Sequence, residues 1–236
     1  LVYETPALLL DIGTNTEVAL FLEGETYVAS APAGPALEGG NISCGTKSLE
    51  GAIYKVKLSD GRFRYWSYGE PPSGLCGSGV LSVTAELLRA GVVDSSGRLK
   101  VGVEGDRSVK ISENVFFTQK DVREVQKAKA AISSAWRTLM TIASVNPDEL
   151  NRVFICGSFG SNIDPEDALD LGLIPPVERS KIALLGNSAG AGARLILKSE
   201  QCRRKAEEIA STVKFFELAS HPSFRKIWIK SLQLGA

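Results

Sequence analysis

One short run near the start of the chain constrains the fold more than any other segment. Three leucines, Leu8–Leu10, lead directly into Asp11, Ile12 and Gly13. Small residues with hydroxyl or amide groups follow, and from Val18 onward apolar residues recur at every second position. This pattern predicts a buried strand, a tight turn and a second strand that runs back along the first.

The residue types in this turn suit phosphate oxygens and a magnesium ion. Gly13 lets the backbone pass close to a bound group. The amides and hydroxyls of Thr14, Asn15 and Thr16 can donate hydrogen bonds to phosphate oxygens. Asp11 can hold a hydrated Mg²⁺, an ion that usually keeps several of its waters. An ordinary hairpin, in which Asp11 bonds its own turn, explains this one fragment equally well.

Two familiar phosphate-binding motifs are excluded at this turn. No helix and no lysine follow Gly13, so the run is neither a Walker loop nor a Rossmann fingerprint. A second glycine-rich segment, Gly74–Gly79, leads into a predicted helix over 80–90. A glycine-rich loop at a helix start can bind anions. Here we favour the simpler interpretation, in which the glycines permit close packing.

The charge balance excludes several classes of function. Among 236 residues, 27 are basic and 27 acidic, so no basic surplus favours nucleic acid and no basic cluster favours an anionic membrane. No apolar stretch is long enough to span a bilayer, and no export signal is visible. We therefore expect a cytoplasmic protein with neither nucleic acid nor a membrane as partner. Because the chain opens inside a predicted strand, we expect a fragment of a longer protein.

The cysteine and histidine content argues against metal centres and nucleophilic triads. The four cysteines are scattered, without a Cys-x-x-Cys pair. Zinc sites and iron–sulfur clusters need ligands at short spacings, so free thiols are the better interpretation. His221 is the sole histidine and precedes a proline, which favours a turn residue over a catalytic one.

The middle of the chain predicts an inserted hairpin and a long helix. Two β-like runs, 52–58 and 62–68, flank Asp60-Gly61, a strong turn signal. Thr118 to Asp121 resembles a capping box and begins a predicted helix over 119–144 with an apolar stripe. Between the third predicted strand, 25–31, and this hairpin, the residues 30–40 are too rich in Gly and Pro for more than a short helical turn.

A second informative segment lies near the carboxyl end. The apolar residues 153–156 predict a strand that ends in Gly157-Ser158-Phe159-Gly160, and Asp164-Pro165 begins a helix. Glycines at the carboxyl end of a strand leave room for a flat ligand, and crevices in open α/β sheets lie at such ends. The next predicted strand, 181–185, enters a helix whose Gly190 and Gly192 we interpret as close helix–sheet packing. The residues 224–229 could form a strand or a helix.

Six segments in chain order resemble the reductive activators of corrinoid proteins. Each alone is weak evidence, but the ordered set is specific. The segments read DIGTNTEV, SAPAGPALEGGNI, GLCGSGV, FTQKDVREVQKAKAAI, VFICGSFG and LLGNSAGAGARL. The chain departs from the expected pattern at Thr46, Lys47, Cys156 and Ser158, none of which removes an essential charge.

The resemblance implies an actin-like ATPase fold of the ribonuclease H-like type. That fold is an α/β lobe with a mixed sheet flanked by helices and, here, an inserted β-hairpin. Residues 1–236 would form the second lobe, and the first lobe would lie upstream. Asp11 to Asn15 resembles the second phosphate loop. The adenosine-lining residues would be Gly157, Ser158, Phe159 and Gly160.

The resemblance also implies an activity, cofactors and a partner. The family couples ATP and Mg²⁺ to the reduction of cob(II)amide to cob(I)amide on the corrinoid protein of a methyltransferase system, with an iron–sulfur cluster on a domain absent from this chain. Asp11 would orient the Mg²⁺-bound water or polarise the attacking water. Thr16 and its neighbours in the turn would contact phosphates. Ser30, whose hydroxyl could approach cobalt, and Gly34 would face the partner. The sequence leaves a homodimer open.

Two alternatives of other kinds stay open at this point. The chain could be a lobe of another actin-fold enzyme, either a sugar kinase or a dehydratase activator with bridging cysteines, of which Cys156 alone lies near the expected cleft. It could also be a non-catalytic module that binds a protein through its sheet edge or through the segment 30–40.

Overall fold

A six-stranded sheet organises the part of the chain that the computed structural model describes, residues 4–102, 107–157 and 162–235. The strand bounds are β1 (Ala7–Asp11), β2 (Asn15–Phe21), β3 (Thr26–Pro32), β9 (Arg152–Cys156), β10 (Ile182–Gly186) and β11 (Lys214–Phe215). Their order across the sheet is β10-β9-β1-β2-β3-β11. The predicted hairpin of the first two strands and the third strand are confirmed.

The first strand lies at the centre of this sheet because both of its neighbours use its backbone. It pairs antiparallel with β2 and parallel with β9, so Asp11 stands opposite Glu17 on one side and Cys156 on the other. Leu8 and Leu10 are fully buried, as a strand covered by helices requires. Since β10 is also parallel to β9, the carboxyl ends of three strands meet at one edge.

A long helix, α2 (Gln119–Ala143), packs on one face of the sheet together with α6 (Phe224–Ser231). Its predicted capping box is confirmed: the Asp121 backbone donates to the Thr118 hydroxyl, and the Thr118 backbone donates to the Asp121 carboxylate. The apolar stripe turns Val122, Ile132 and their neighbours into the core. The tail 224–229, which the sequence left undecided, is helical.

The inserted hairpin forms a smaller sheet with its own helix. Its strands are β4 (Ala52–Ser59), β5 (Arg62–Ser67) and β6 (Gly74–Leu75), and α1 (Gly77–Arg89) packs against β4. A Cβ atom on Gly79 would lie 2.1 Å from the Ile53 carbonyl oxygen, so the glycine allows the helix to touch the strand. The close-packing interpretation of this glycine segment is confirmed here.

Three helices and two short strands complete the described fold. The remaining elements are β7 (Ser108–Lys110), β8 (Phe116–Thr118), α3 (Pro165–Asp170), α4 (Ser188–Lys198) and α5 (Glu200–Thr212). Within the described ranges, none of the helices combines the length and the apolar character that a membrane crossing needs.

The fourth helix corrects one expectation from the sequence. A Cβ atom on Gly192 would meet nothing within 4 Å, and one on Gly190 would meet only the side chain of Asn187, which caps the same helix. No described residue of α4 is buried, and Leu197 is 78% exposed. The prediction of close helix–sheet packing at these two glycines is therefore wrong, because the helix stands away from the core.

Candidate functional site

The carboxyl ends of the three parallel strands are joined by backbone hydrogen bonds. The Ile12 amide donates to the Cys156 carbonyl at 3.0 Å, and the Gly157 amide donates to the Gly186 carbonyl at 3.1 Å. Asp11, the last residue of β1, is partly exposed at this edge. Its carboxylate is therefore held at a rigid strand end without being sealed in the core.

Gly157 allows the next strand end to approach this carboxylate. Its φ angle is +95°, a conformation that disfavours other residue types. A Cβ atom at this position would lie 2.5 Å from the Ile12 carbonyl oxygen and 2.7 Å from Oδ1 of Asp11. Only glycine fits, and the structure brings Asp11 and Gly157 together at one edge. Ser158, Phe159 and Gly160 lie outside the described residues.

The turn between β1 and β2 separates its residues into two groups. Thr14 and Asn15 are exposed, and Gly13 is partly exposed. Thr16 has no exposed surface, and its hydroxyl donates to the Gly13 carbonyl at 3.5 Å. The Thr16 side chain thus faces its own turn, which corrects the expectation that it meets phosphate. Its neighbours keep their polar groups available to a ligand.

A carboxylate that the sequence reasoning missed lies beside this turn. The Thr14 hydroxyl donates to Oε1 of Glu38 at 3.1 Å. Glu38 ends the short 3₁₀ turn Pro35–Glu38 in the Gly- and Pro-rich segment. The two residues are 24 positions apart, so no local pattern could pair them. The one available signal was that Glu38 lies in the segment SAPAGPALEGGNI, which resembles the family of reductive activators.

The segment 30–40 is hydrogen-bonded to the turn at Thr14 and to the adjoining strand β2 at Glu17. Besides the Thr14–Glu38 bond, the Gly34 amide donates to the Thr14 carbonyl at 2.8 Å, and the Ser30 hydroxyl donates to Oε1 of Glu17 at 3.3 Å. Ser30 is exposed and lies within β3, opposite Glu17. A Cβ atom on Gly34 would meet nothing within 4 Å. The expected partner-facing residues therefore lie on an open surface next to the turn.

Cys156 is buried next to Asp11 and has no exposed surface. Its thiol donates to the Leu10 carbonyl at 3.5 Å. Burial raises the pKa of the Cys156 thiol, and the negative charge of Asp11 raises it further. A thiol without exposed surface is unsuited to bridge a cluster between lobes, which argues against a dehydratase activator. Within the described ranges, no three side chains of the metal-ligating types converge.

The arrangement at the strand ends fits a nucleotide with its magnesium ion. Asp11 offers one carboxylate to a hydrated Mg²⁺. The exposed Asn15 amide offers donors to phosphate oxygens, and the Thr14 hydroxyl would do so by exchanging Glu38 for a phosphate oxygen. Gly157 leaves the adjoining strand end free of side-chain bulk. The residues present are of the types that such a group needs, and they lie at the sheet edge where α/β proteins bind ligands.

Comparisons with known proteins agree on one family. The family model described as the C-terminal domain of RACo, the ASKHA domain, matches residues 5–236. The corrinoid activation enzyme RamQ of Eubacterium limosum is 33% identical over 252 residues, which cover 97% of this chain and 42% of RamQ. The Co(II) methylated amine-specific corrinoid protein reductase of Methanosarcina barkeri is 30% identical over 260 residues, 98% of this chain and 46% of that protein.

A solved structure agrees with these sequence matches. The reductive activator for a corrinoid, iron–sulfur protein superposes with a TM-score of 0.86 at 32% identity. The match covers 97% of this chain and 39% of that chain. The chain thus spans less than half the length of the relatives that it matches. The expected actin-like ATPase fold, α/β with helices flanking mixed sheets, is confirmed.

Proposed function

The chain belongs to the family of the RACo C-terminal ASKHA domain, and on that premise we propose that it forms the second lobe of an ATP-driven reductive activator of a corrinoid protein. The whole protein would transfer one electron to cob(II)amide and so form cob(I)amide. The electron would come from an iron–sulfur cluster on a domain outside these 236 residues. One observation carries the proposal: the Asp11 carboxylate lies against Gly157 at the carboxyl ends of two parallel strands.

The proposed nucleotide site divides between these two strand ends. The turn after β1 takes the phosphates, and the segment after β9 takes the adenosine. Residues assigned to the phosphates are Asp11, Gly13, Thr14 and Asn15, and those assigned to adenosine are Gly157, Ser158, Phe159 and Gly160. Thr16 supports the turn through its bond to the Gly13 carbonyl. When bound, Mg²⁺ supplies positive charge that offsets the phosphate oxygens, and Asp11 holds it through water.

The ATP requirement follows from the energetics of the reduction. Cob(I)amide forms only at very low potential, so the electron transfer is uphill unless a second process offsets it. Binding and hydrolysis of ATP can do so if the closed and open arrangements of the lobes bind the partner differently. The two hydrogen bonds between Thr14 of the turn and the segment 30–40 offer a direct connection between nucleotide and partner.

The proposed partner is the corrinoid protein of a methyltransferase system. Two relatives are named for corrinoid proteins, one of them specific for methylated amines. Ser30 and Gly34 are assigned to the partner-facing surface because both lie in the open beside the turn. The cytoplasmic location and a homodimer stay predictions.

The central experiment replaces the carboxylate in the full-length protein. Asp11→Asn keeps the shape of the side chain but removes its charge, and Asp60→Asn makes the same change in the exposed hairpin turn, where Asn tolerates the φ of +53°. We expect Asp11→Asn to lose roughly a hundredfold in ATP hydrolysis and to stop cob(I)amide formation, measured by absorbance. Asp60→Asn should behave as wild type. Full activity of Asp11→Asn would refute the proposal.

A second variant tests the partner-facing surface separately. Ser30→Ala in the full-length protein should weaken complex formation with the corrinoid protein and slow the reduction, while basal ATP hydrolysis stays unchanged. Ser211→Ala, at an exposed hydroxyl of α5, is the matched control. Unchanged reduction and unchanged complex formation in Ser30→Ala would remove Ser30 from the partner-facing surface without touching the nucleotide site.

A further inference from the structure

A cavity of about 560 Å³ lies between the end of α2 and the last helix, α6. Met140 and Ile227 contribute apolar walls, and the buried Trp136 closes one side. Two cations line the same cavity, Arg137 from α2 and Lys230 from α6. Its volume falls in the range of small-molecule sites, which combine apolar walls with a few placed polar groups.

The Arg137 guanidinium is one of the two cations that line this cavity. Among the described residues, no carboxylate forms an ion pair with Arg137 or Lys230. The Arg137 Nε atom is buried and has no hydrogen-bond acceptor within the described ranges. The guanidinium carbon of Arg137 lies over the Trp136 ring, 4.4 Å from the ring centroid. A buried N–H donor without an acceptor is costly, and an anion bound in the cavity would supply that acceptor.

Two carboxylates follow the cavity residues along the chain, Asp148 and Glu149, and neither forms an ion pair with Arg137 or Lys230 within the described ranges. Asn146 lines the cavity, but Glu149 turns back to accept from the Asn146 backbone at 2.6 Å and from its side-chain amide at 3.0 Å. A further cation on the same helix, Lys129, is almost fully buried, and the positive charge of Arg137 contributes to lowering its pKa after the larger effect of burial. Arg137 and Lys129 therefore lie near enough on α2 for their positive charges to repel each other.

We propose that this cavity binds a small organic anion, a carboxylate or phosphate monoester with an apolar body. The guanidinium and the ammonium group would hold the anionic end, since a planar guanidinium matches both carboxylate and phosphate oxygens. The apolar body would lie against Met140 and Ile227. Because Arg137 and Lys230 belong to different helices, the bound anion would also tie α6 to α2.

This site is separate from the proposed nucleotide site. The cavity lies where α2 ends and the chain leads into the first residue of β9, whereas Asp11 and Gly157 lie at the opposite end of that strand. The five residues of β9 span roughly 16 Å at the usual rise per residue. An anion in the cavity would therefore not compete with the nucleotide.

The test is calorimetry on the full-length protein with three probes: benzoate, phenyl phosphate and inorganic phosphate. Arg137→Met and Lys230→Met each remove one cation of the cavity. Lys226→Met removes an exposed cation of the same helix α6 and serves as the matched control. We expect saturable binding of benzoate or phenyl phosphate, tighter than that of inorganic phosphate. Loss of either cation should weaken that binding about tenfold, whereas Lys226→Met should leave it unchanged.

The outcomes separate the proposal from its rivals. Preference for benzoate or for phenyl phosphate identifies the anionic group, and weakening in either cavity variant alone supports the site. If Arg137→Met does not fold, Lys230→Met decides, because its side chain is exposed. The proposal is overturned if no probe binds wild type, if binding survives in the cavity variants, or if Lys226→Met weakens it equally.

Discussion

A methyl group on Gly157 would lie 2.7 Å from Oδ1 of Asp11, so the backbone at the end of one strand occupies the space beside the carboxylate at the end of the next. The two residues are 146 positions apart along the chain. Their contact follows from the parallel register of β1 and β9, which pairs Asp11 with Cys156.

Gly157→Ala should destabilise the protein more than an ordinary substitution at a positive φ. The control is Gly24→Ala, whose φ is +75° but whose Cβ atom would meet nothing within 4 Å. Strain alone should cost Gly24→Ala roughly 1–2 kcal/mol, and the added clash should bring Gly157→Ala to roughly 3–4 kcal/mol. Chemical denaturation measures both. Equal losses would mean that the contact with Asp11 relaxes without cost.

Thr14→Val should impair nucleotide binding without loss of stability. Valine keeps the branched shape but removes the hydroxyl, which donates to Glu38 here and in the proposed site would donate to a phosphate oxygen instead. Because Thr14 is exposed, we expect the free energy of unfolding to change by less than about 0.5 kcal/mol. The KM for ATP in the full-length protein should rise roughly tenfold, the value of one charge-assisted hydrogen bond. Thr212→Val, at an exposed hydroxyl of α5, should leave the KM unchanged.

Asp121→Ala should lower the free energy of unfolding more than most substitutions do. Its buried carboxylate accepts from the Ser43 amide and hydroxyl at 2.7 and 2.9 Å, and from the Thr118 amide and hydroxyl at 2.8 and 2.9 Å. Loss of this charged acceptor removes four hydrogen bonds, including those of the helix cap, which should cost roughly 3 kcal/mol in chemical denaturation. Asp148→Ala, at an exposed position, should cost less than about 0.5 kcal/mol. Similar values for both would contradict the structural role of Asp121.

Lys129 should make stability depend on pH. Its Nζ donates to the Ser231 and Gln233 carbonyls at 3.1 and 2.6 Å. Burial, with a smaller effect from Arg137, lowers its pKa from 10.5 to about 8. Between pH 8 and 10.5 the unfolded chain therefore binds more protons than the folded protein. As a result, Lys129 makes the free energy of unfolding rise with pH in this range, by roughly 3 kcal/mol at most.

The measurement for Lys129 is denaturation at pH 7.5, 8.5 and 9.5. The rise should disappear in Lys129→Met and persist in Lys127→Met, whose side chain is exposed on the same helix. If the pH profiles of wild type and Lys129→Met run parallel, the Lys129 ammonium stays charged in the folded protein and the prediction is wrong.

The isolated chain of 236 residues should bind ATP weakly or not at all. It contributes one phosphate turn, whereas the proposed site needs a matching turn from another lobe. Calorimetry with MgATP should therefore give little heat with this chain and a saturable signal with the full-length protein. Tight, Mg²⁺-dependent binding by the isolated chain would show that the second turn is dispensable.

Local patterns predicted the elements of the fold well. The hairpin of β1 and β2, the Asp60-Gly61 turn and the capping box of α2 all depend on residues within a few positions of each other. The same reasoning failed at Gly190 and Gly192, because glycines in the first turns of a helix suit both close packing and open space. Only the tertiary arrangement shows that α4 lies away from the core.

The candidate site could be predicted only in part, for a different reason. Asp11, Gly13 and Gly157 were identifiable because strand ends and glycines leave local signals. Glu38 was not, since its bond to Thr14 depends on how a Gly- and Pro-rich segment folds back over the turn. Thr16 was grouped with the exposed turn residues. It is instead the second residue of β2, where the alternation of the strand turns its side chain inward.

The bond from the Gly34 amide to the Thr14 carbonyl joins the turn after β1 directly to the segment 30–40. Under the proposed function, any shift of the turn as the triphosphate arrives moves Gly34 with it. Binding and release of the corrinoid partner would then depend on the bound nucleotide. The electron would be transferred only when ATP is present to offset the unfavourable potential.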